Sequence, residues 1–313
     1  MSYYSKTYIK TDYQLHQSEV QTNFRKRVGL KGNKHLLLNG TDNFYVGIVE
    51  NVCHYFDLNN IEWWKYKEDA VGPTDHMVSS QVQCLNYLFA LREDYDAVLK
   101  LVQIFDPKIK KIVPSNIDKE PGFISFEYTY KNEKLLNEND KGSKRGKFCT
   151  SIDAFVIAQR MDKKVLIPIE WKYSESYLDG VNKALEYRKG KTRQKRYNHL
   201  ITVSDQLKTF SNLADSVYYY EPFYELMRQT LLVEQMIREG LADEYMHVLV
   251  VYPENEDLLE NVYSFSQSNL ETTWRSCLAD QNKFKVVDKN NILNLLSLLP
   301  AYSELYNYLK LRY

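Results

Sequence analysis

A short apolar run that abruptly becomes charged constrains this chain most: LIPIEWKYSE, residues 166–175. Because the side chains of a β-strand alternate between its two faces, Glu170 and Lys172 point to one side and the apolar Trp171 to the other. A strand end that runs into solvent with a surface ion pair would account for these charges at little energetic gain. The alternative is a functional site at the end of a buried strand, and the rest of the chain has to distinguish the two.

The segments before this run change from a helical to a strand-like pattern. Helices are predicted from Ser79, a suitable N-cap, and over residues 94–105. Aromatic and β-branched residues then predict three strands, over residues 123–130, 151–159 and 164–173. The last two strands are joined by a connection short enough for a hairpin.

The segments after this run predict a long helix and one more buried strand. The helix covers residues 221–240 and ends at a glycine, and the strand covers residues 246–253. The central order is therefore αβββαβ. We expect residues 1–75 to form an N-terminal elaboration, residues 76–255 the core, and residues 256–313 a C-terminal helical extension packed on the core.

Composition and spacing argue against several classes of protein. No apolar run approaches the ~18 residues of a membrane span, and no secretory signal is visible, so we expect a cytoplasmic protein. The four cysteines form no C-x-x-C pair and the six histidines no H-x-x-x-H pair, which argues against a zinc site. Residues 142–148 lack the spacing of a P-loop. The 41 basic and 41 acidic residues balance, so a nucleic-acid surface would have to be local.

Acidic residues on the three predicted strands are placed where they can meet. Asp153 on the second strand and Glu170 on the third can converge in a hairpin, and Glu127 on the first strand is a possible third group. Crowded carboxylates repel strongly unless a cation lies between them. Without nearby His or Cys, such a cation would be Mg²⁺ or Mn²⁺. Lys172 can orient a metal-bound water and stabilise developing charge, which suits phosphodiester hydrolysis.

The pattern Ile152-Asp153, followed by Glu170-Trp171-Lys172, resembles the PD-(D/E)XK signature of restriction-endonuclease-like nucleases. The resemblance covers roughly residues 79–253. It implies an α/β fold with a mixed central sheet flanked by helices. It further implies that Asp153, Glu170 and the backbone carbonyl of Trp171 bind the metal, and that Lys172 assists the attacking water.

Two positions depart from the family pattern. Ile152 stands where the family frequently has a proline, and Glu127 lies on a predicted strand, whereas many members place their early acidic residue on the first helix. The segments SSQVQCLNY, TSIDAF, IEWKYSESY and PFYELMRQ are also similar to a bacterial branch of this superfamily.

Basic and polar residues outside the strands offer further contacts. A basic run follows the third strand and comprises Arg188, Lys189, Lys191, Arg193, Lys195 and Arg196. It is either a solvated helix face or, as its position favours, a set of phosphate contacts. Arg228 and Gln229 on the long helix could support the metal site or cap the edge of the core. The Trp63-Trp64 pair could stack on bases, although packing within the protein is favoured.

The sequence thus predicts a Mg²⁺-dependent phosphodiesterase, an endonuclease or exonuclease that acts on nucleic acid, with DNA favoured over RNA. A non-catalytic nucleic-acid-binding or assembly protein that retains the nuclease fold is the alternative. A glycosidase with paired carboxylates is disfavoured, because Lys172 has no obvious role in that mechanism. The residues leave open whether the chain forms a homodimer, and they indicate no membrane partner.

Overall fold

The computed structural model describes residues 10–64, 71–115, 117–130, 133–138, 145–146, 149–177, 192–211 and 216–313. Of residues 131–148, which lie between the first two core strands, it describes only 133–138, 145 and 146. Arg188, Lys189 and Lys191 of the basic run lie outside the described residues.

The helices and strands of the described residues are numbered in chain order. The helices are α1 (Asp12–Arg27), α2 (Val49–Leu58), α3 (Ser80–Leu88), α4 (Tyr95–Phe105), α5 (192–202), α6 (Phe223–Arg238), α7 (Glu256–Leu259), α8 (Leu270–Ser276), α9 (Lys289–Ser297) and α10 (Ser303–Arg312). The strands are β1 (Gly32–Asn33), β2 (Leu36–Leu37), β3 (Lys111–Val113), β4 (Ile124–Tyr128), β5 (Ile152–Arg160), β6 (Lys163–Trp171), β7 (Glu244–Tyr245), β8 (His247–Val251) and β9 (Phe284–Asp288).

Within the part of the chain that the structure describes, the centre of the fold is a seven-stranded mixed sheet. β5 and β6 form an antiparallel hairpin in which Arg160 pairs with Lys163, and Met161 in the turn has a left-handed φ of +54°. β3 and β4 both pair antiparallel with β5. β8 pairs parallel with β6, and β9 pairs parallel with β8. The predicted αβββαβ order with a mixed central sheet is therefore confirmed.

A proline coincides with a break in the sheet beside β6. The Lys172 amide donates to the carbonyl of Val250 in β8 at 2.9 Å. The same parallel pattern four residues earlier would place the amide of residue 168 opposite the carbonyl of Met246. Pro168 has no amide hydrogen to donate there. The neighbouring strand is interrupted at Met246, and its two pieces are β7 and β8.

Hydrophobic clusters cover both faces of the sheet. Ile169 and Trp171 of β6 belong to the cluster that includes residues of α2, α3, α4, α9 and α10. Leu166 of the same strand belongs to the cluster that includes residues of α5, α6 and α8. The fold therefore has three layers, with helices on both sides of the sheet. The side of β6 that carries Glu170 faces α6. Polar side chains of α6 contact residues at the end of β6.

Most core elements occur where their local signals predicted them. The Ser79 side chain accepts a hydrogen bond from the Val82 amide at the start of α3. Gly240, with a φ of +77°, follows the end of α6, as expected for a glycine that terminates a helix. The prediction of a helical extension over residues 256–313 missed β9, which adds a parallel strand to the central sheet.

The two terminal segments meet on the core. Buried Arg312, at the end of α10, donates to Gln21 Oε1 at 3.0 Å and to the carbonyl of Asn43. Gln21 in turn donates to the hydroxyl of Tyr173, just beyond β6, at 3.0 Å. These bonds tie both ends of the described chain to the strand that carries Glu170. None of the described helices has the length and apolar character required to cross a membrane.

Candidate active site

A cleft of about 830 Å³ opens where β4, β5 and β6 carry their acidic residues. Its lining includes Glu127 from β4, Asp153 from β5 and Glu170 from β6, with Lys172 just beyond the end of β6. The start of α3 and one face of α6 form two walls, and residues of the N-terminal elaboration form a third. Acidic groups from three strands thus meet in one cleft.

Asp153 lies where the two strands of the hairpin separate. The backbone pairing of β5 with β6 ends at Ala154 and Ile169. Beyond that pair, the Trp171 amide donates to Asp153 Oδ2 at 2.7 Å. The carboxylate of Asp153 is therefore held by the backbone of the strand that also carries Glu170.

The backbone carbonyl of Trp171 faces the same side as Asp153. The peptide that joins Trp171 to Lys172 donates its N–H to Val250 in β8. In a trans peptide the C=O points opposite to the N–H, so the Trp171 carbonyl points away from β8 and toward β5. A carboxylate and a backbone oxygen are both directed into the gap between β5 and β6.

Glu170 and Lys172 form a buried ion pair. Lys172 Nζ lies 2.7 Å from Glu170 Oε1 and also contacts the carboxylate of Glu225 from α6. Burial disfavours the charge of Lys172, but Glu170 and then Glu225 outweigh it and raise the pKa of Lys172 well above its ordinary value. Burial also acts to raise the pKa of Glu225, yet contact with Lys172 leaves that pKa below its usual value. Lys172 is therefore an ammonium ion at neutral pH.

A hydrogen-bond chain from α6 orients the Glu170 carboxylate. Gln229 Nε2 donates to Glu170 Oε2 at 2.5 Å, and Gln229 Oε1 accepts from His247 Nε2 at 2.8 Å. Burial lowers the pKa of His247 to about 3, so this ring is neutral near pH 7. Its second nitrogen, Nδ1, lies 3.4 Å from the Thr230 hydroxyl, which acts as donor in this tautomer. The chain leaves Gln229 a single orientation toward Glu170.

Glu127 reaches the cleft through an uncommon backbone conformation. Its φ is +47°, a left-handed value that costs a residue other than glycine ~1–3 kcal/mol. Its Oε1 accepts from Gln81 Nε2 of α3 at 2.5 Å, and Arg145 donates to its backbone carbonyl at 2.9 Å. Strain of this kind persists only where the surroundings hold it. The contacts from Gln81 and Arg145 supply that support on both sides of the residue.

The three carboxyl groups disfavour one another's charges. Burial, followed by the charges of Glu170 and Glu127, raises the pKa of Asp153 well above its ordinary value. Burial raises the pKa of Glu127 to about 7. Burial also raises the pKa of Glu170, although Lys172 opposes that rise. Because these acidic groups repel, a bound cation would relieve the repulsion.

The oxygen donors of the cleft fit Mg²⁺ or Mn²⁺. Mg²⁺ is commonly held by one or two carboxylates together with waters and substrate phosphate. Asp153, Glu170 and the carbonyl of Trp171 supply oxygens of this kind. Among the described residues, no group of three or more His, Cys, Asp or Glu side chains is arranged to hold a metal ion. A metal here would therefore depend on backbone, water and substrate oxygens as well.

The described part of the basic run is not a uniform surface. Arg193 is buried, its guanidinium lies 3.8 Å from the centre of the Tyr224 ring, and it donates to the carbonyl of Tyr219 at 3.0 Å. Lys195 is exposed and Arg196 is half-buried. Arg193 thus joins α5 to α6, and its cationic group is engaged by the protein.

The two polar residues of α6 named from the sequence both line the cleft. Gln229 contacts Glu170 directly, and Arg228 donates to Thr150 Oγ1 at 3.3 Å. The Arg228 guanidinium also lies 4.7 Å from the centre of the Tyr224 ring.

The sequence alone assigned neither Glu225 nor Gln81 a role in the cleft. Glu225 precedes Gln229 by four residues, so both lie on the same face of α6, and this spacing could have identified Glu225. Gln81 contacts Glu127 because α3 packs near the end of β4. No local pattern in the sequence reveals that packing.

Comparison with known families bears on the fold of the chain. A family model named REase-ARP, described as Restriction Endonuclease associating with ARP, matches residues 2–313. The chain belongs to this family. Its restriction-endonuclease-like fold and the resemblance inferred from the sequence are thereby confirmed, and at the family level membership indicates a nuclease. No curated protein and no solved structure matches the chain.

Proposed function

We propose that this REase-ARP protein is a Mg²⁺- or Mn²⁺-dependent nuclease that hydrolyses phosphodiester bonds of nucleic acid. One observation carries the proposal: the buried Glu170–Lys172 pair shares a cleft with Asp153. The Asp153 carboxylate accepts a hydrogen bond from the amide of Trp171, the residue between Glu170 and Lys172. Carboxylates that raise one another's pKa beside an ammonium are suited to a site that binds a cation and activates water.

Asp153, Glu170 and the Trp171 carbonyl would hold the metal, with Glu127 as a further ligand. A bound divalent metal would lower the pKa of a water and neutralise charge on the phosphoryl group. Gln229 fixes one oxygen of Glu170 and thereby leaves its carboxylate with a defined orientation. The Trp171 amide does the same for Asp153.

Lys172 would position the attacking water. An ammonium group has three N–H donors, and Glu170 and Glu225 accept two of them. The third can be donated to a water or to a phosphate oxygen in the cleft. Because Glu170 and Glu225 restrain Nζ from two sides, this donor needs little rearrangement during the reaction.

DNA is the favoured substrate, in keeping with the restriction-endonuclease family. In this proposal Lys195 and Arg196 contact phosphates, together with Arg188, Lys189 and Lys191. Buried Arg193 contacts no phosphate and instead packs α5 against α6. Residues 76–255 would form the nuclease core, and the terminal elaborations would complete the cleft and the sheet.

The test is cleavage of labelled DNA and RNA, single- and double-stranded, in Mg²⁺, in Mn²⁺ and in EDTA. We expect metal-dependent cleavage by the wild type and none by Asp153→Asn. Asp162→Asn is the matched control, since Asp162 is exposed in the turn at the other end of the same hairpin, and it should cleave normally. Binding without any metal-dependent cleavage would instead support the non-catalytic alternative.

A further inference from the structure

An exposed aromatic ring lies in the wall of the cleft. Trp64 has 47 % of its surface exposed, although it lines the same cleft as Asp153 and Glu170. Its neighbour Trp63 differs, because that ring stacks on Phe56 with centroids 3.7 Å apart and an interplanar angle of 10°. Trp63 therefore packs against the core, whereas about half of the Trp64 side chain stays exposed and can contact another molecule.

The position of Trp64 is coupled to the acidic residues. Its backbone amide donates to Gln81 Oε1 at 3.1 Å, and the Nε2 of the same side chain donates to Glu127 Oε1 at 2.5 Å. One amide side chain thus bridges the backbone of Trp64 to a carboxylate of the cleft. A group that contacted the Trp64 ring would lie close to the proposed metal site.

Among the residues that the structure describes, the surface around Trp64 is polar and includes the ammonium group of Lys10 from the N-terminal elaboration. The His76 ring lies 6.1 Å from the Trp64 ring, and the His35 ring lies 4.9 Å from that of His76. Burial lowers the pKa of both histidines to about 4, so these rings are uncharged near pH 7. Lys10 Nζ lies 3.4 Å from His35 Nε2 and donates to Ser18 at 3.2 Å. The described residues of this wall are mostly polar and do not form the large apolar patch that often marks a protein-docking surface.

We propose that this wall binds an unpaired segment of nucleic acid, with a base stacked on Trp64 and a phosphate near Lys10. The inference rests on the proposed function and adds the substrate class. Stacking needs a free base face, which a single strand offers and an intact duplex does not. Lys10 and Trp64 line the same cleft, and an exposed ring together with a cation in one wall suits single-stranded nucleic acid, since the cation meets the backbone and the ring meets the base.

The test measures binding of labelled single-stranded and double-stranded oligonucleotides of one sequence in EDTA, so that no strand is cut. We expect Trp64→Ala to weaken single-strand binding about 5- to 100-fold, and duplex binding far less. Trp64→Phe should restore most of the affinity because it retains a ring, whereas Trp64→Leu should not. Single-strand binding by Trp64→Ala should depend on salt as wild-type binding does. Lys10→Ala should reduce the slope of log affinity against log salt concentration by about 0.7.

Replacing single bases by abasic sites along the strand identifies the stacked position. One abasic site should weaken wild-type binding as Trp64→Ala does, and the two changes should not add. Equal losses on single strand and duplex, or unchanged binding by Trp64→Ala, would overturn the inference. Since binding is measured without metal, a wild type that never cleaves would refute the proposed chemistry and leave this result standing. Trp64→Ala should melt close to the wild type, because 47 % of the Trp64 surface is already exposed.

Discussion

At the scale of single residues, Asp153 combines a structural and a chemical constraint. Its carboxylate accepts the Trp171 amide at 2.7 Å, and it is close enough to Glu170 and Glu127 for their charges to raise its pKa. Asparagine would keep an oxygen that can accept the Trp171 amide while removing the negative charge. Asp153→Asn therefore separates the charge of this residue from its role in the hairpin.

We expect Mg²⁺ or Mn²⁺ to raise the melting temperature of the wild type, because a ligand that binds only the native state stabilises it. Asp153→Asn should lose that response. Without metal, it should melt no lower than the wild type, since one source of repulsion is gone. Thermal unfolding with increasing metal concentration measures both effects. A full metal response in Asp153→Asn would place the metal elsewhere.

Lys172→Ala should retain the carboxylates but slow hydrolysis by about 10²- to 10³-fold, the usual range for removing one donor that stabilises developing charge. Lys172→Arg keeps a positive charge but has a planar, more bulky head group, so we expect it to recover stability more than activity. Single-turnover cleavage below the melting temperature of each variant is the measurement. Wild-type rates in Lys172→Ala would remove this residue from the mechanism.

Glu127 makes a prediction about pH. Its folded pKa of about 7 lies above the ordinary value of 4.5, so between these pH values the folded state binds more protons than the unfolded state. The stability associated with this group is therefore fully present below about pH 4.5 and is lost as pH rises toward 7. In EDTA, the free energy of unfolding of the wild type should fall by up to about 3 kcal/mol more than that of Glu127→Gln over this pH range. Identical slopes in denaturant titrations would contradict the shift.

At the scale of elements, α6 arranges the end of β6. Glu225 and Gln229, one turn apart, contact Lys172 and Glu170 respectively. The helix thus fixes both members of the ion pair. His247 at the start of β8 completes the arrangement by donating to Gln229 at 2.8 Å.

Gln229→Ala should destabilise the fold by about 2 kcal/mol or more, because it leaves buried atoms of Glu170 and His247 without this partner. Cleavage should fall as well, since the Glu170 carboxylate loses an orienting donor. Thr230→Val is the matched control on the same helix. The Thr230 hydroxyl lies 3.4 Å from His247, farther than Gln229 does, so this variant should lose less stability. Chemical denaturation of both variants compares the two, and an equal loss would argue against a special role for Gln229.

At the scale of the whole molecule, the cleft depends on segments far apart in the chain. The N-terminal elaboration contributes Trp64 and Lys10 to its wall, and the Arg312 side chain ties the C-terminal helix to Gln21 and Asn43. Substrate binding should therefore involve the elaborations as well as the core.

Lys195→Ala should reduce the salt dependence of duplex binding by about 0.9 in slope if this exposed side chain neutralises one phosphate. Lys163→Ala is the matched control, because Lys163 begins β6 and lies roughly 20 Å from Glu170 at the other end of the strand. Its slope should equal that of the wild type. Binding titrations over a range of salt concentrations distinguish them, and an unchanged slope in Lys195→Ala would return this residue to an ordinary solvated surface.

The sequence by itself determined the features that depend on short-range pattern. Ser79 and Gly240 mark helix ends because caps and terminators act within a few residues. Alternation along β6 puts Glu170 and Lys172 on one face, and the short connection makes β5 its antiparallel neighbour. The αβββαβ order and its acidic residues therefore followed from local periodicity.

The tertiary structure decided what depends on contacts between distant segments. β9 became a strand by pairing with β8, Arg193 became buried by packing against α6, and Glu127 took a left-handed φ that its neighbours hold. Trp64 joined the cleft because Gln81 from α3 holds its backbone. No local pattern encodes such contacts, because the free energy of each arises from burial and hydrogen bonds to partners that only the folded chain brings together.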